Sequence, residues 1–326
     1  MANPASVDVG LVRQALATST LHHGLRVLGD RWTVQLMLGT FMGLKRFDQW
    51  HVQLGIPRHT LSERLRTLVQ LGLLRPRLYQ ERPPRQGYHA TAKALAMFPQ
   101  TLMIWQWESQ WGERDIALPV RLEHLLCGHG FNPRLVCACC DQEFQLQDLQ
   151  VRLQPNPALA EPDTGGPASR LSSSGAPRMG LGLRLDRWCL MIIAAVVLGC
   201  HYFDELAQAL GIAPSVLAKR LKGMVDCGLL ERSADAQDAR RRHYRLTPAS
   251  RGLLGYMMCL SDWTAHHHLD QPSSIVPVHS PCGQLFKPKV VCSHCAQPVL
   301  AWQVQPVYAS GQAAAVHAAQ AEEVLA

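Results

Sequence analysis

No stretch of this 326-residue chain is apolar for long enough to cross a bilayer, which takes roughly 20 consecutive apolar residues. The most apolar run, Cys189 to Cys200, reads instead as a buried helix. Met1 to Leu11 carries no basic stretch followed by an apolar one, so no secretory leader is expected and the chain is read as cytoplasmic. The usual signatures of catalysis are missing too. There is no nucleophile with its base, no paired carboxylates and no phosphate loop, since Gly24 to Gly29 does not fit one. An enzyme is therefore not expected. Acidic side chains are in deficit, 25 Asp and Glu against 32 Lys and Arg, for a net charge of +7 and a pI near 8.9. That excess favours a polyanionic partner, and without a spanning segment nucleic acid is preferred to an anionic membrane surface. Hydrophobic residues at 47% and charged residues at 17% exclude wholesale disorder and leave enough material for two cores.

What is present is the same sequence twice. Gly29-Asp30-Arg31-Trp32 returns as Leu185-Asp186-Arg187-Trp188, an offset of 156 residues. The same offset relates Phe47-Asp48 to Phe203-Asp204, Leu61-Ser62-Glu63-Arg64-Leu65 to Leu217-Ala218-Lys219-Arg220-Leu221, and Gly72-Leu73-Leu74 to Gly228-Leu229-Leu230. It continues through Tyr88 and Tyr244, Thr91 and Thr247, Trp107 and Trp263, then drops by one so that Cys127, Cys137 and Cys140 match Cys282, Cys292 and Cys295. One register held for so long is a tandem duplication.

Within copy one, apolar periodicity predicts a helix from Trp32 to about Phe41, a second from about Arg46 to Leu54, a turn at Gly55-Ile56-Pro57 and a third helix from Arg58. Leu61, Leu65 and Leu68 give that third helix its inward stripe. Strands at Leu73–Tyr79 and Gly87–Thr91 flank a polar loop, and one long helix is expected from Ala92 to Trp111. Copy two repeats this with helices at Arg187–Leu198, Phe203–Leu210 and Pro214–Asp226, strands about Leu229 and His243, and a helix from Pro248 to about His266. The order is that of a winged helix-turn-helix. The fold class expected is mainly α with small β-hairpins: a first winged domain at 1–121, a Cys-rich segment at 122–150 and a Pro-, Gly- and Ser-rich linker at 151–182. A second winged domain at 183–270, a second Cys-rich segment at 271–304 and an Ala-rich tail at 305–326 complete the chain.

Leu28-Gly-Asp-Arg-Trp-Thr, Arg46-Phe-Asp, Leu61-Ser-Glu-Arg-Leu and Gly72-Leu-Leu-Arg, with Pro83-Pro84-Arg85, Tyr88 and Thr91 in the wing, resemble the HxlR-type regulators. The resemblance covers residues 20–112 well and 183–268 more loosely. Asp238 to Thr247 is closer to the wing of the related MarR-type regulators, where Asp238 would orient Arg240. It implies a dimeric DNA-binding repressor or activator without catalysis. HxlR-type regulators often sense oxidants through a cysteine about ten residues before the Gly-Asp-Arg-Trp position; here Ser19 and Gly175 stand there, so that mode of sensing is not expected.

In a helix-turn-helix the second helix enters the major groove with its first residues at the base edges. That assigns Arg58, His59, Thr60 and Ser62 to the groove in copy one, with Arg64 and Arg66 nearer phosphates. In copy two Pro214, Ser215, Val216 and Ala218 take the groove positions, backed by Lys219, Arg220 and Lys222. Reading a base edge in two places needs Arg, Lys, Asn or Gln. Copy one is accordingly expected to carry sequence information and copy two backbone affinity. The wings add Arg75, Arg77, Arg82 and Arg85 in copy one and Arg232, Arg240, Arg241, Arg242 and Arg245 in copy two, cations suited to phosphate and narrow minor grooves. Double-stranded DNA is the partner expected, bound by a homodimer or by the two copies of one chain as a pseudo-dimer.

Each winged unit is followed by Cys, nine residues, then Cys-x-x-Cys. With a histidine three residues upstream, copy one offers His124, Cys127, Cys137 and Cys140, and copy two offers His279, Cys282, Cys292 and Cys295. Each set has the four N and S ligands of a structural, tetrahedral Zn2+ site; His129 is a rival ligand in copy one, although copy two has Gln284 there. Metal-free thiols and a redox disulfide are the alternatives. Cys189, Cys200, Cys227 and Cys259 sit in apolar surroundings and read as core thiols. The run His266-His267-His268 reads as a solvent-facing helix end. Two other functions compete with DNA binding: a protein–protein interaction module on the winged-helix scaffold, and a small-molecule or redox sensor with its ligand near Trp105, Trp107, Trp111 and Trp263.

Overall fold

The computed structural model describes residues 7–29, 31–112, 118–155, 186–235, 238, 240–269 and 273–308. Its first elements are two short helices, α1 (Val9–Ala17) and α2 (Thr20–Leu28), started by capping side chains: Asp8 accepts from the Leu11 amide and Ser19 from that of His22. Copy one follows with α3 (Arg31–Phe41), α4 (Phe47–Leu54) and α5 (Arg58–Gln70), the hairpin β1 (Leu74–Gln80) and β2 (Arg85–Ala90), then α6 (Ala92–Leu95) and α7 (Phe98–Trp111). Its Cys-rich segment forms β3 (Arg121–His124), β4 (His129–Phe131), β5 (Pro133–Cys137) and β6 (Leu149–Leu153). Copy two gives α8 (Arg187–Val197), α9 (Phe203–Leu210), α10 (Pro214–Asp226), β7 (Leu230–Ala234), β8 (Arg242–Leu246), α11 (Pro248–Gly252) and α12 (Leu254–Thr264). Its Cys-rich segment forms β9 (Ile275–His279), β10 (Gln284–Leu285), β11 (Pro288–Cys292) and β12 (Val304–Val307).

The mixed α and β class and the two winged units are as the sequence implies. The single long helix expected after each hairpin is not. Both copies break it at the same place, Ala96–Met97 in copy one and Leu253 in copy two. Thr91 and Thr247 cap the short first piece, and just past the break stand Pro99 and its equivalent Gly255, two residues poorly suited to a helix interior.

The chain divides into two compact units, and they do not follow chain order. Unit one is Met1–Asp30 with Cys137–Pro288; unit two is Arg31–Val136 with Lys289–Ala326. The helices α1 and α2, in the span expected for the first winged domain, therefore pack in the unit that holds the second. In unit one α1 packs on α9 and α2 on α12. Thr18 donates to Ser274 and Thr20 shares a hydrogen bond with Ser261. The helices approach so closely that a Cβ on Gly24 would lie 2.3 Å from Thr264 Oγ1. In unit two, Leu36, Trp50, Leu61, Leu65 and Leu68 fill the core of the winged domain, the inward stripes anticipated for α3, α4 and α5.

The Cys-rich segments are divided in the same way. In unit one β6 of copy one pairs antiparallel with β9 of copy two, Leu149 opposite His279 and Leu153 opposite Ile275, and β10 adds to the far edge. In unit two β12 of copy two pairs with β3 of copy one, Val304 opposite His124 and Val307 opposite Arg121, and β4 closes that sheet. The expected linker thus begins later than residue 151, because Leu149–Leu153 is strand; its remainder, 156–182, lies outside the described residues. Gln305–Val307 of the expected tail is likewise strand, and 309–326 lies outside the described residues.

Candidate nucleic-acid interface and metal centres

The turn of each helix-turn-helix is made by a glycine in the left-handed region, Gly55 at φ 61° and Gly211 at φ 59°, a conformation that costs a residue with a Cβ. It sets α5 and α10 so that their leucines face inward and their first turns face water. In unit two Arg58, His59, Ser62 and Arg66 are exposed, and Thr60 and Arg64 half-buried. Arg58 bonds Asp48 at 3.1 Å, and His59 lies 3.6 Å from Glu63. The wing presents Arg75, Arg77, Arg82 and Arg85, all exposed.

Unit one keeps the frame with different contacts. Pro214, Ser215, Val216, Ala218, Lys219 and Lys222 are exposed, with Lys222 paired to Asp226 at 2.6 Å. Arg220 corrects its sequence assignment. It is 5% exposed and holds the buried Asp186 at 2.6 Å, so it braces α10 against the start of α8 and offers nothing to a phosphate. In the wing Arg232, Arg240, Arg242 and Arg245 are exposed. Arg241 is forked onto both carboxylate oxygens of Asp204 at 3.0 Å and lies 3.9 Å from the centre of the Tyr202 ring. Asp238 shapes the turn through the main chain: its carboxylate accepts from the Arg240 amide at 2.9 Å and its carbonyl from the Arg241 amide. Asp48 and Asp204 are equivalent residues that hold different arginines, one on the recognition helix and one on the wing. Sequence reasoning missed that difference, because the pairings, 10 and 37 residues apart, depend on how the helices and the wing pack.

The cysteine segments form two knuckle types. His124-x-x-Cys127 and His279-x-x-Cys282 turn over Gly128 and Gly283, at φ 70° and 67°, whose amides bond back to the histidine carbonyls. Cys137-x-x-Cys140 and Cys292-x-x-Cys295 turn over Asp141 and Ala296, at φ 60° and 57°, whose amides bond the carbonyls of Cys137 and Cys292. Left-handed backbone at a non-glycine residue is uncommon, and here it lets two thiols of each pair point the same way.

All eight residues read as ligands come together in two groups, but the grouping differs from that expected. No group is one copy's own set. In unit two His124 and Cys127 of copy one face Cys292 and Cys295 of copy two; in unit one Cys137 and Cys140 of copy one face His279 and Cys282 of copy two. Within each group the ligand atoms all lie within 4.8 Å of one another. His124 Nδ1 is 3.7 Å from Cys127 Sγ and 3.3 Å from Cys295 Sγ, and Cys127 Sγ is 4.0 Å from Cys292 Sγ. His279 Nδ1 is 3.3 Å from Cys140 Sγ and 3.4 Å from Cys282 Sγ, and Cys137 Sγ is 4.0 Å from Cys282 Sγ. The physical reason is β-pairing across the copies: β6 of copy one pairs with β9 of copy two in unit one, and β12 of copy two pairs with β3 of copy one in unit two. Among the described residues the cysteines form no disulfide. Each cluster is able to hold a metal ion.

The rivals fall away from the ligand set. His129 is exposed, bonds the Cys127 carbonyl and stacks on His294 at 3.7 Å. Cys139 is exposed, its sulfur 3.8 Å from the Leu285 carbonyl. Cys189, Cys200 and Cys259 are buried, and burial pushes the Cys189 thiol up to about 12 and that of Cys200 to about 11, the protonated state of core thiols; Cys227 is half-buried. Ser19 is a buried helix cap, and Gly175 lies outside the described residues. His266 pairs with Asp262 at 3.5 Å, while His267 and His268 stack on Trp263. Trp105, Trp107 and Trp263 are core residues. A cavity of about 470 Å³ does exist in unit one, between Leu21, Phe144, Val197, Met257 and Phe286, and Trp263 takes no part in its wall. Among the described residues no helix is long and apolar enough to cross a membrane.

Comparison with known proteins matches the model of the HxlR-like helix-turn-helix family twice, at residues 27–116 and 184–272. An uncharacterised HTH-type transcriptional regulator of Mycobacterium tuberculosis (strain CDC 1551) is 37% identical over 135 residues, 41% of this chain and 84% of the relative. Another, from Synechocystis, is 29% identical over 96 residues, 29% of this chain and 71% of the relative. A solved structure of a proposed transcription factor from Pseudomonas aeruginosa is 28% identical, spans 38% of this chain and 85% of its own, and superposes with a TM-score of 0.31. With both winged units matched and together making up more than half its length, the chain belongs to the HxlR-like helix-turn-helix family and carries the family's domain twice.

Proposed function

We propose that this protein is a sequence-specific, non-enzymatic DNA-binding transcriptional regulator acting in the cytoplasm, with α5 and α10 as its recognition helices. The observation that carries this reading is the outward face of copy one, where Arg58, His59, Ser62 and Arg66 on α5 and Arg75, Arg77, Arg82 and Arg85 on the wing are all exposed. Arg58 sits at the end that meets base edges, and its ion pair with Asp48 is solvent-exposed, so giving it up for a guanine edge costs little. Copy two offers Ser215 at the groove, with Lys219, Lys222, Arg240 and Arg242 for phosphates, so its share is affinity more than sequence. Zn2+ is the structural cofactor that three thiolates and one imidazole favour.

Selection from a random duplex pool at two salt concentrations tests the reading. Recovery of one motif with paired half-sites supports it, and the half-site spacing tells whether the two recognition helices of one chain or those of a homodimer are used. Weak binding without a motif, vanishing with salt, leaves basic-surface attraction alone and favours a protein-interaction module.

A further inference from the structure

We infer that the protein holds two Zn2+ ions, each shared between the two copies of the duplication, so that neither copy owns a complete site. The inference rests on the zinc reading above and is independent of DNA binding.

The observations are geometric. A tetrahedral Zn2+ with Zn–S of about 2.3 Å and Zn–N of about 2.0 Å sets its ligand atoms roughly 3.4 to 3.8 Å apart. Three separations in each cluster run from 3.3 to 4.0 Å, and every ligand pair lies within 4.8 Å, close to what one ion requires. His124 and His279 are fully buried, and Nε2 of each has no hydrogen-bond partner. Each ring therefore presents only Nδ1 to a polar neighbour, and that neighbour is the cluster's sulfurs. A buried imidazole so placed has a reason to be there if Nδ1 binds an ion. The ligand set is closed: four protein atoms, two knuckles facing each other. Such a site is structural, and binding exchanges three thiol protons for one dication.

Sharing follows from the sheets. β6 with β9 and β12 with β3 bring one His-x-x-Cys knuckle and one Cys-x-x-Cys knuckle together from opposite copies. The ion then joins residues that are 165 apart in the chain for Cys127 and Cys292 and 145 apart for Cys137 and Cys282.

Ion counting on the full-length protein, after dialysis against a chelator of moderate strength, separates the possibilities. Wild type is expected to retain two Zn2+ per chain. The pair C127S/C292S strips two ligands from one cluster and is expected to retain one ion; C137S/C282S does the same at the other. C127S/C137S takes one ligand from each cluster and is expected to retain none. If each copy bound its own ion, the pattern would reverse, with C127S/C137S keeping one and C127S/C292S none, and sharing would be overturned. A wild-type chain without retained zinc would overturn the zinc reading itself. Circular dichroism of each variant, and cobalt substitution of the wild type with its thiolate charge-transfer band, keep the count interpretable where a variant loses its fold.

Discussion

The guanidinium of Arg220 lies 2.6 Å from the carboxylate of Asp186, and both side chains are almost wholly withdrawn from water. An arginine on the recognition helix of copy two is thereby turned into a brace between α10 and the start of α8. Removing one partner of a buried pair leaves a charge without compensation, a loss of about 3–5 kcal/mol. Arg220→Met or Asp186→Asn is expected to lower the urea midpoint markedly.

Lys219, one residue away and exposed, is expected to behave in the opposite way. Lys219→Ala should leave the urea midpoint where it is and reduce the slope of log K against log salt by about one, the signature of a lost phosphate contact. Arg58→Ala is expected to cost about 1–3 kcal/mol of discrimination between motif and scrambled duplex. Ser215→Ala should cost less. Equal losses at Arg58 and Ser215 in a competition assay would remove the division of labour between the copies.

His22 links stability to pH. Burial, with Arg187 beside it, pushes its imidazole down to about 3, and Nε2 lies 3.4 Å from the Arg187 guanidinium, a contact that requires the neutral ring. The unfolded chain takes up this proton near 6.5 and the folded chain does not until about 3. The stabilisation is therefore complete above pH 6.5 and is lost as the pH falls through that window. Thermal melts of wild type and His22→Gln between pH 4 and 7 are expected to show a shallower dependence in the variant, and parallel curves would remove His22 from the account.

Cys139 tests the boundary of the metal centre. It is adjacent in sequence to Cys140 yet exposed and outside the cluster. Cys139→Ser is expected to leave the retained zinc unchanged, while its thiol should be the first to react with a maleimide in wild type. Loss of an ion in Cys139→Ser would put it among the ligands.

Much of this was legible beforehand. The inward leucines of α5, the glycine after α4 and the eight ligand types follow from spacing alone, because local periodicity and turn chemistry decide them. The partition of the ligands was not. Cys-x-x-Cys fixes two neighbours in a turn, but which histidine knuckle it meets depends on strand pairing far along the chain, and both answers use the same residues. Arg220 misled for a related reason. Its position on α10 is the same whether it faces phosphate or Asp186, and only the packing of α8 decides. The helices α1 and α2, capped by Asp8 and Ser19, were not anticipated, and nothing local tells that they pack in the unit of the second copy.

The exchange of strands between the copies has a practical consequence for anyone wishing to excise a domain. The backbone leaves one unit for the other after residues 30, 136 and 288. A fragment ending at 150 or beginning at 183, the cuts that chain order suggests, would lose one side of a sheet and leave open edges, β3 without β12 or β9 without β6. Open edges of this kind recruit other chains. A soluble half of this protein requires stitching non-adjacent segments together, residues 31–136 joined to 289–308 for one half, and no single pair of scissors cuts will yield it.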